Sequence, residues 1–146
     1  MNGREAGVTV PISVDTYHST VAEQAVDAGA DIVNDISAGE DDPAMFSFLA
    51  DRKVPVILMH KRGNAATMDG QTQYEDVVGE VASYCKRRAE ELMGLGVPRW
   101  NIVVDPGLGF AKNTAQNCRL IRDIPRFNGI TGNLPLLVRL RVAGYL

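Results

Sequence analysis

Five short apolar runs, each separated from the next by a helix-length stretch, restrict the fold of this chain more than any other feature. They lie at 10–15 (VPISVD), 31–35 (DIVND), 54–60 (VPVILMH), 101–105 (NIVVD) and 134–138 (LPLLV). The runs are continuous rather than alternating, which is how strands covered on both faces read. Between them the apolar spacing predicts helices over 21–28, from 42–43 onward, over 74–95 and over 114–124, where Pro125 is expected to stop the last. Strand and helix therefore alternate along the chain. That order predicts an α/β fold built on a parallel sheet flanked by helices. No linker or low-complexity stretch interrupts it, so residues 1–146 are expected to form a single domain.

Four of the five runs end in polar groups: Asp15-Thr16, Asn34-Asp35, His60 and Asp105. In a parallel sheet these ends share one edge, and in a barrel they meet at one pocket mouth. After Asp105 the chain turns through Pro106-Gly107-Leu108-Gly109 toward Phe110 and Lys112. An acid at a strand end followed by a Gly-rich loop is one way α/β proteins carry a binding group. A carboxylate accepts two parallel N–H bonds, and an amide both donates and accepts. Asp15, Asn34 and Asp105 together suit a flat heterocycle with several N–H donors. Asp35 reads as structural, His60 as a satisfied core histidine, and His18 as a surface residue. The loop at 61–72 is polar, Gly-containing and the longest in the chain, a length that marks functional segments.

Several classes are excluded. The formal net charge of −3 gives no electrostatic case for nucleic acid or an anionic membrane. No run of about 18 apolar residues exists, so no membrane span is expected. Cys85 and Cys118 stand in no Cys-x-x-Cys or Cys/His spacing, which predicts reduced, partly buried thiols and no zinc site. No Walker A loop is present, no G-x-G-x-x-G follows a strand, and no serine sits on a nucleophile elbow. The first fifteen residues carry no signal-peptide apolar segment and reach a strand early, so no leader is expected within this chain, a cleaved leader on a longer precursor being a separate matter.

The motifs PISVDT, AGADIVNDIS, VPVILMHKRGNAATM and DPGLGFAKN, in this order and spacing, resemble the dihydropteroate synthases, the pterin-binding enzymes of folate biosynthesis. The resemblance covers roughly residues 10–138. It implies a partial (β/α)8 TIM barrel, with about five parallel strands and intervening helices out of eight. It also implies a transferase joining 7,8-dihydropterin-6-ylmethyl diphosphate to 4-aminobenzoate. By the same resemblance Asp15, Asn34 and Asp105 hold the pterin ring, Ile36 and Met59 wall its slot, and Phe110 lies on the aminobenzoate side. Magnesium is the metal the family implies, with no ligand for it among these residues. A cytoplasmic or mitochondrial location is implied.

Departures accompany the likeness. Lys61 stands where the family usually has Met. After LPLLV the family continues Gly-x-Ser-Arg-Lys, whereas this chain reads Arg139-Leu140-Arg141-Val142-Ala143, with Ala143 in the lysine's place. The family's opening strand with its mobile loop, and its last strand, have no counterpart, and a complete barrel needs about 250 residues. The expectation is a central piece of the enzyme with little or no activity alone, whose open sheet edges invite association, a homodimer included. Two other readings stand beside the synthase: a non-catalytic pterin-binding fragment and a pterin-dependent methyltransferase domain. The MHKRG and DPGLGFAKN stretches favour the synthase.

Overall fold

A computed structural model describes residues 7–63, 67 and 70–139. The elements run β1 (Ser13–Asp15), α1 (Ser19–Asp27), β2 (Ile32–Asp35), α2 (Met45–Arg52), β3 (Val56–Met59), α3 (Val77–Gly94), β4 (Ile102–Asp105), α4 (Thr114–Arg122) and α5 (Ile124–Thr131). The strands form one parallel sheet in the order β1-β2-β3-β4. Consecutive parallel strands joined by helices are the wall of a (β/α) barrel, four of the eight strands that close one.

Register and the period-2 alternation of side chains sort the strand residues into two faces. Val33 pairs with Val56 and Val56 with Ile102, while Leu58 pairs with Val104. These five side chains are at most 1% exposed. With Val78, Val81, Cys85, Ala89 and Leu92 of α3 they make the core. Burying each large aliphatic side chain stabilises the fold by roughly 1.5–3 kcal/mol. The opposite face carries Ile57 and Val103, which are only half-buried. Two-sided burial, expected from the continuous runs, thus holds fully on one face alone. In a barrel wall the inner face is covered by the other strands, so the same sequence pattern appears.

The fifth apolar run is shorter as a strand than its sequence suggests. It makes one parallel bridge, Val104 to Leu136, through Val104 N–H to the Pro135 carbonyl at 2.8 Å and Leu137 N–H to the Val104 carbonyl at 2.9 Å. Pro135 has no N–H for a ladder, which restricts the pairing.

Pro125 begins a helix instead of ending one. It sits in the first turn of α5, where a missing N–H costs nothing, and Asp123 serves both as the C-cap of α4 and the N-cap of α5. Phe127 of α5 is 1% exposed and joins the core, and α5 packs chiefly on α3. Helix α1 starts at Ser19, two residues earlier than its apolar spacing suggests. Asp42 holds that start from a distance: its Oδ2 accepts from Ser19 N–H at 2.6 Å, and its Oδ1 from Ala44 N–H at 2.9 Å. Among the described residues no helix is long and apolar enough to cross a membrane.

Candidate active site

The carboxyl ends of the strands open onto a cavity of about 740 Å³. Asp15, Ile36, Met59, Asp105 and Phe110 line it, together with Tyr17, His18 and Arg139. Five of the six residues singled out from the sequence therefore share one cavity. The sixth, Asn34, stands behind Asp15. It pairs with Asp15 in the β1–β2 register, and its amide donates to Asp15 Oδ1 at 2.8 Å. Asn34 is 1% exposed. Its Oδ1 is buried and has no hydrogen-bond partner among the described residues. A buried unpaired carbonyl is costly, so its persistence needs a reason.

Asp105 closes the other side. It pairs with Met59 across β3–β4, which sets a carboxylate beside a polarizable apolar wall. Asp105 is 2% exposed, and burial raises its pKa above the usual carboxylate value. Opposing that rise, Gly107 N–H donates to Oδ1 at 2.7 Å, and the Arg139 guanidinium lies nearby. Gly107 adopts φ +65°, and a Cβ there would collide with the His60 carbonyl oxygen. The turn after Asp105 thus needs a residue without a side chain.

The loop that follows is tied down from inside by Lys112. Its ammonium donates to the Gly107 carbonyl at 3.0 Å and the Phe110 carbonyl at 2.9 Å, and meets His60 Nδ1 at 3.0 Å. Three donors with three acceptors satisfy a charge that is only 7% exposed. Burial lowers the Lys112 pKa to about 8 and that of His60 to about 3. At neutral pH the lysine is charged and the histidine neutral, its Nδ1 accepting. The loop ends on a capping box: Asn113 Oδ1 accepts from Gln116 N–H, and Gln116 Oε1 from Asn113 N–H, both at 2.9 Å. Phe110 is therefore held on a braced turn.

His60 is a satisfied core histidine, as its position suggested, with Tyr84 edge-on at 4.9 Å. Asp35 is structural: its carboxylate accepts from Ser37 N–H, Ser37 Oγ and Gly39 N–H. His18 is exposed, yet it reaches the cavity rim. Cys85 is buried beneath Asp105, and burial raises its thiol pKa to about 12. Cys118 is exposed rather than partly buried, on the outer side of α4. Of the 61–72 loop, residues 64–66 and 68–69 lie outside the described residues, as do Leu140, Arg141, Val142 and Ala143. Lys61 pairs with Asp41, and Arg62 with Glu80 while stacking 3.8 Å from the Tyr74 ring.

Sequence reasoning missed Lys112 and Arg139. A lysine next to an N-cap Asn reads as solvated, and only its burial against His60 shows otherwise. Arg139 reads as a departure from a motif, whereas its guanidinium faces both cavity carboxylates: Nε is 3.5 Å from Asp105 Oδ2 and Nη1 is 3.9 Å from Asp15 Oδ2.

A (β/α) barrel wall whose strand ends gather carboxylates around a mostly apolar cavity is the architecture of a small-molecule enzyme site. Residues 3–141 match the family profile described as pterin binding enzyme. The chain belongs to that family. The folic acid synthesis protein fol1 of Pneumocystis carinii is 49% identical over 118 residues, covering 80% of this chain and 16% of that protein. The dihydropteroate synthase of Synechocystis is 43% identical over 129 residues, covering 88% of this chain and 44% of that one. The structure of dihydropteroate synthase from Xanthomonas albilineans in complex with 7,8-dihydropteroate superposes with a TM-score of 0.81 at 34% identity. It covers 92% of this chain and 47% of that chain. The chain thus spans less than half the length of these relatives.

Proposed function

We propose that this chain supplies the pterin-holding face of a dihydropteroate synthase, the transferase of folate biosynthesis that joins 7,8-dihydropterin-6-ylmethyl diphosphate to 4-aminobenzoate. The observation that carries the reading is the pair of opposed acceptors in one cavity: Asp15 steadied by Asn34 on one side, and buried Asp105 on the other. A carboxylate accepts the ring N–H and the exocyclic amine of a pterin in parallel. Met59 and Ile36 give the flat ring apolar walls. Buried Asn34 fixes the Asp15 carboxylate from behind, its amide donating to Oδ1. The Xanthomonas relative, which holds a dihydropteroate, supports the same class of ligand.

In this reading the two acids stabilise positive charge that grows on the dihydropterin as the C–O bond to diphosphate breaks. The amine nitrogen of 4-aminobenzoate then bonds to the exocyclic methylene and loses its proton. Phe110, fixed by the Lys112 brace, borders the side from which that ring would approach. Magnesium is implied by the resemblance; such an ion is held by one or two carboxylates together with substrate phosphates and water, and among the described residues no three His, Cys, Asp or Glu side chains gather as a dedicated cage.

A second reading is a pterin-binding piece without turnover. Two measurements separate the readings. Calorimetric titration with a pterin tests the cavity: binding by the chain and its loss in Asp105→Asn support the site, and no heat at millimolar ligand overturns it. A steady-state assay with both substrates and Mg²⁺ tests turnover. Rates near those of a full-length relative support the synthase in this chain, and their absence beside intact pterin binding supports the binding piece.

A further inference from the structure

We propose that Arg139 is an internal occupant of the pterin-holding carboxylates, and that a pterin enters only by displacing it. This rests on the reading that the cavity takes a pterin.

The geometry begins with the chain path. The run 134–138 lies beside β4 through its bridge at Leu136, so the residue that leaves it, Arg139, emerges at the edge that carries Asp105. Its guanidinium reaches inward from the rim. The Arg139 side chain is 47% exposed, whereas that of Asp105 is 2% exposed. Nε faces Asp105 and Nη1 faces Asp15, so one planar group spans the two acids that the ligand would use. The other cation close to Asp105 is Lys112, and its protons are engaged by His60, Gly107 and Phe110.

The chemistry makes the overlap specific. A guanidinium presents two N–H bonds from nitrogens that share one carbon, in a plane. The pyrimidine edge of a pterin presents the same array: ring N3–H and the 2-amino group share C2. Both offer N–H donors to Asp105 Oδ2, the oxygen that Arg139 Nε approaches at 3.5 Å while Gly107 N–H holds Oδ1, so the guanidinium and the pterin edge compete for one acceptor. Arginine in this place is therefore a tethered mimic of the ligand's recognised edge. In the free chain it lies against Asp105 and Asp15 as a loose ion pair, and displacing it costs the ligand part of its binding free energy.

The test uses 6-hydroxymethylpterin, which has no phosphate and so reads the ring edge alone. Calorimetry compares the chain with Arg139→Ala and Arg139→Lys, and the Nε–H resonance of Arg139 is followed by NMR. Separations of 3.5 and 3.9 Å at a half-exposed side chain place the pair in the weak class of ion pairs. The affinity is accordingly expected to rise about fivefold in Arg139→Ala, with Arg139→Lys between, because the ammonium keeps charge and loses the fork. The Arg139 Nε–H signal is expected to move to its free position when the chain is saturated with pterin. Equal or weaker binding by Arg139→Ala, or an Arg139 signal that stays put in the complex, overturns the proposal and leaves the pterin site standing. Absence of binding by all three proteins overturns the pterin site itself and the proposal with it.

Discussion

Lys112 Nζ lies 3.0 Å from His60 Nδ1, and this contact ties the end of β3 to the loop that carries Phe110. Two carbonyls of that loop complete the ammonium's shell. Replacing Lys112 with Met leaves one imidazole nitrogen and two carbonyls without their donor inside the fold. Each orphaned acceptor costs about 1 kcal/mol or more, so the variant is expected to lose roughly 3 kcal/mol. Urea unfolding measures it, and a loss below about 1 kcal/mol would show that the ammonium is not a brace.

The same contact predicts an acid limb in stability. Burial holds the His60 pKa at about 3 in the folded chain, below the ordinary value of 6.5. The unfolded chain therefore binds the extra proton first, and stability falls as pH drops from 6.5 toward 3. For a group this buried the effect is on the order of 5 kcal/mol across that window. His60→Asn keeps an oxygen acceptor near Nδ1 and has nothing to titrate. Its stability is expected to decline less steeply between pH 6 and 4, measured by urea midpoints at each pH. Parallel declines in the two proteins would assign the acid limb elsewhere.

Lys112 has the opposite limb. Its folded pKa of about 8 lies below the ordinary 10.5. Between those values the unfolded lysine keeps its proton longer, so this group adds stability as pH rises from 8 to 10.5. The difference between the chain and Lys112→Met should widen over that range, because the variant lacks the titration. A constant difference would place the Lys112 pKa at its unperturbed value.

Asn34→Asp would set a second carboxylate against Asp15, at a contact now 2.8 Å long. Two like charges this close raise the pKa of one of them. The variant is expected to lose at least about 2 kcal/mol at pH 7, and to recover as pH falls and the pair takes up a proton. Thermal melts at pH 7 and pH 5 check this. A variant equally stable at both would mean the two side chains have moved apart.

Gly107→Ala meets both a left-handed backbone and the His60 carbonyl. A loss of roughly 2–3 kcal/mol is expected from the steric and backbone terms. Pterin affinity should fall with it, because Gly107 N–H orients Asp105. An alanine variant with unchanged melting temperature would refute the tight turn.

Much of this molecule was legible before any coordinates. Strand positions, their parallel direction and the convergence of Asp15 and Asp105 follow from apolar runs that end in polar residues, since a parallel sheet puts such ends on one edge, whereas Ile36, Met59 and Phe110 were legible only through the family resemblance. Boundaries were less legible. Pro125 is compatible with a helix end or a helix start, and only the docking of Phe127 on α3 chose the start. The run at 134–138 is apolar enough for a strand, but Pro135 limits its ladder to one bridge.

Periodicity determined the class of fold, because burial of apolar side chains is a local pattern that every strand and helix repeats. Long side chains are different. Lys112 and Arg139 each carry a charge several bonds from the backbone, so their environment depends on which distant segments pack around them. Only the tertiary structure placed Lys112 under the loop with His60, 52 residues away in sequence, and turned Arg139 onto Asp105 and Asp15. The spacing of residues specified where the carboxylates stand. The packing of the chain decided what faces them.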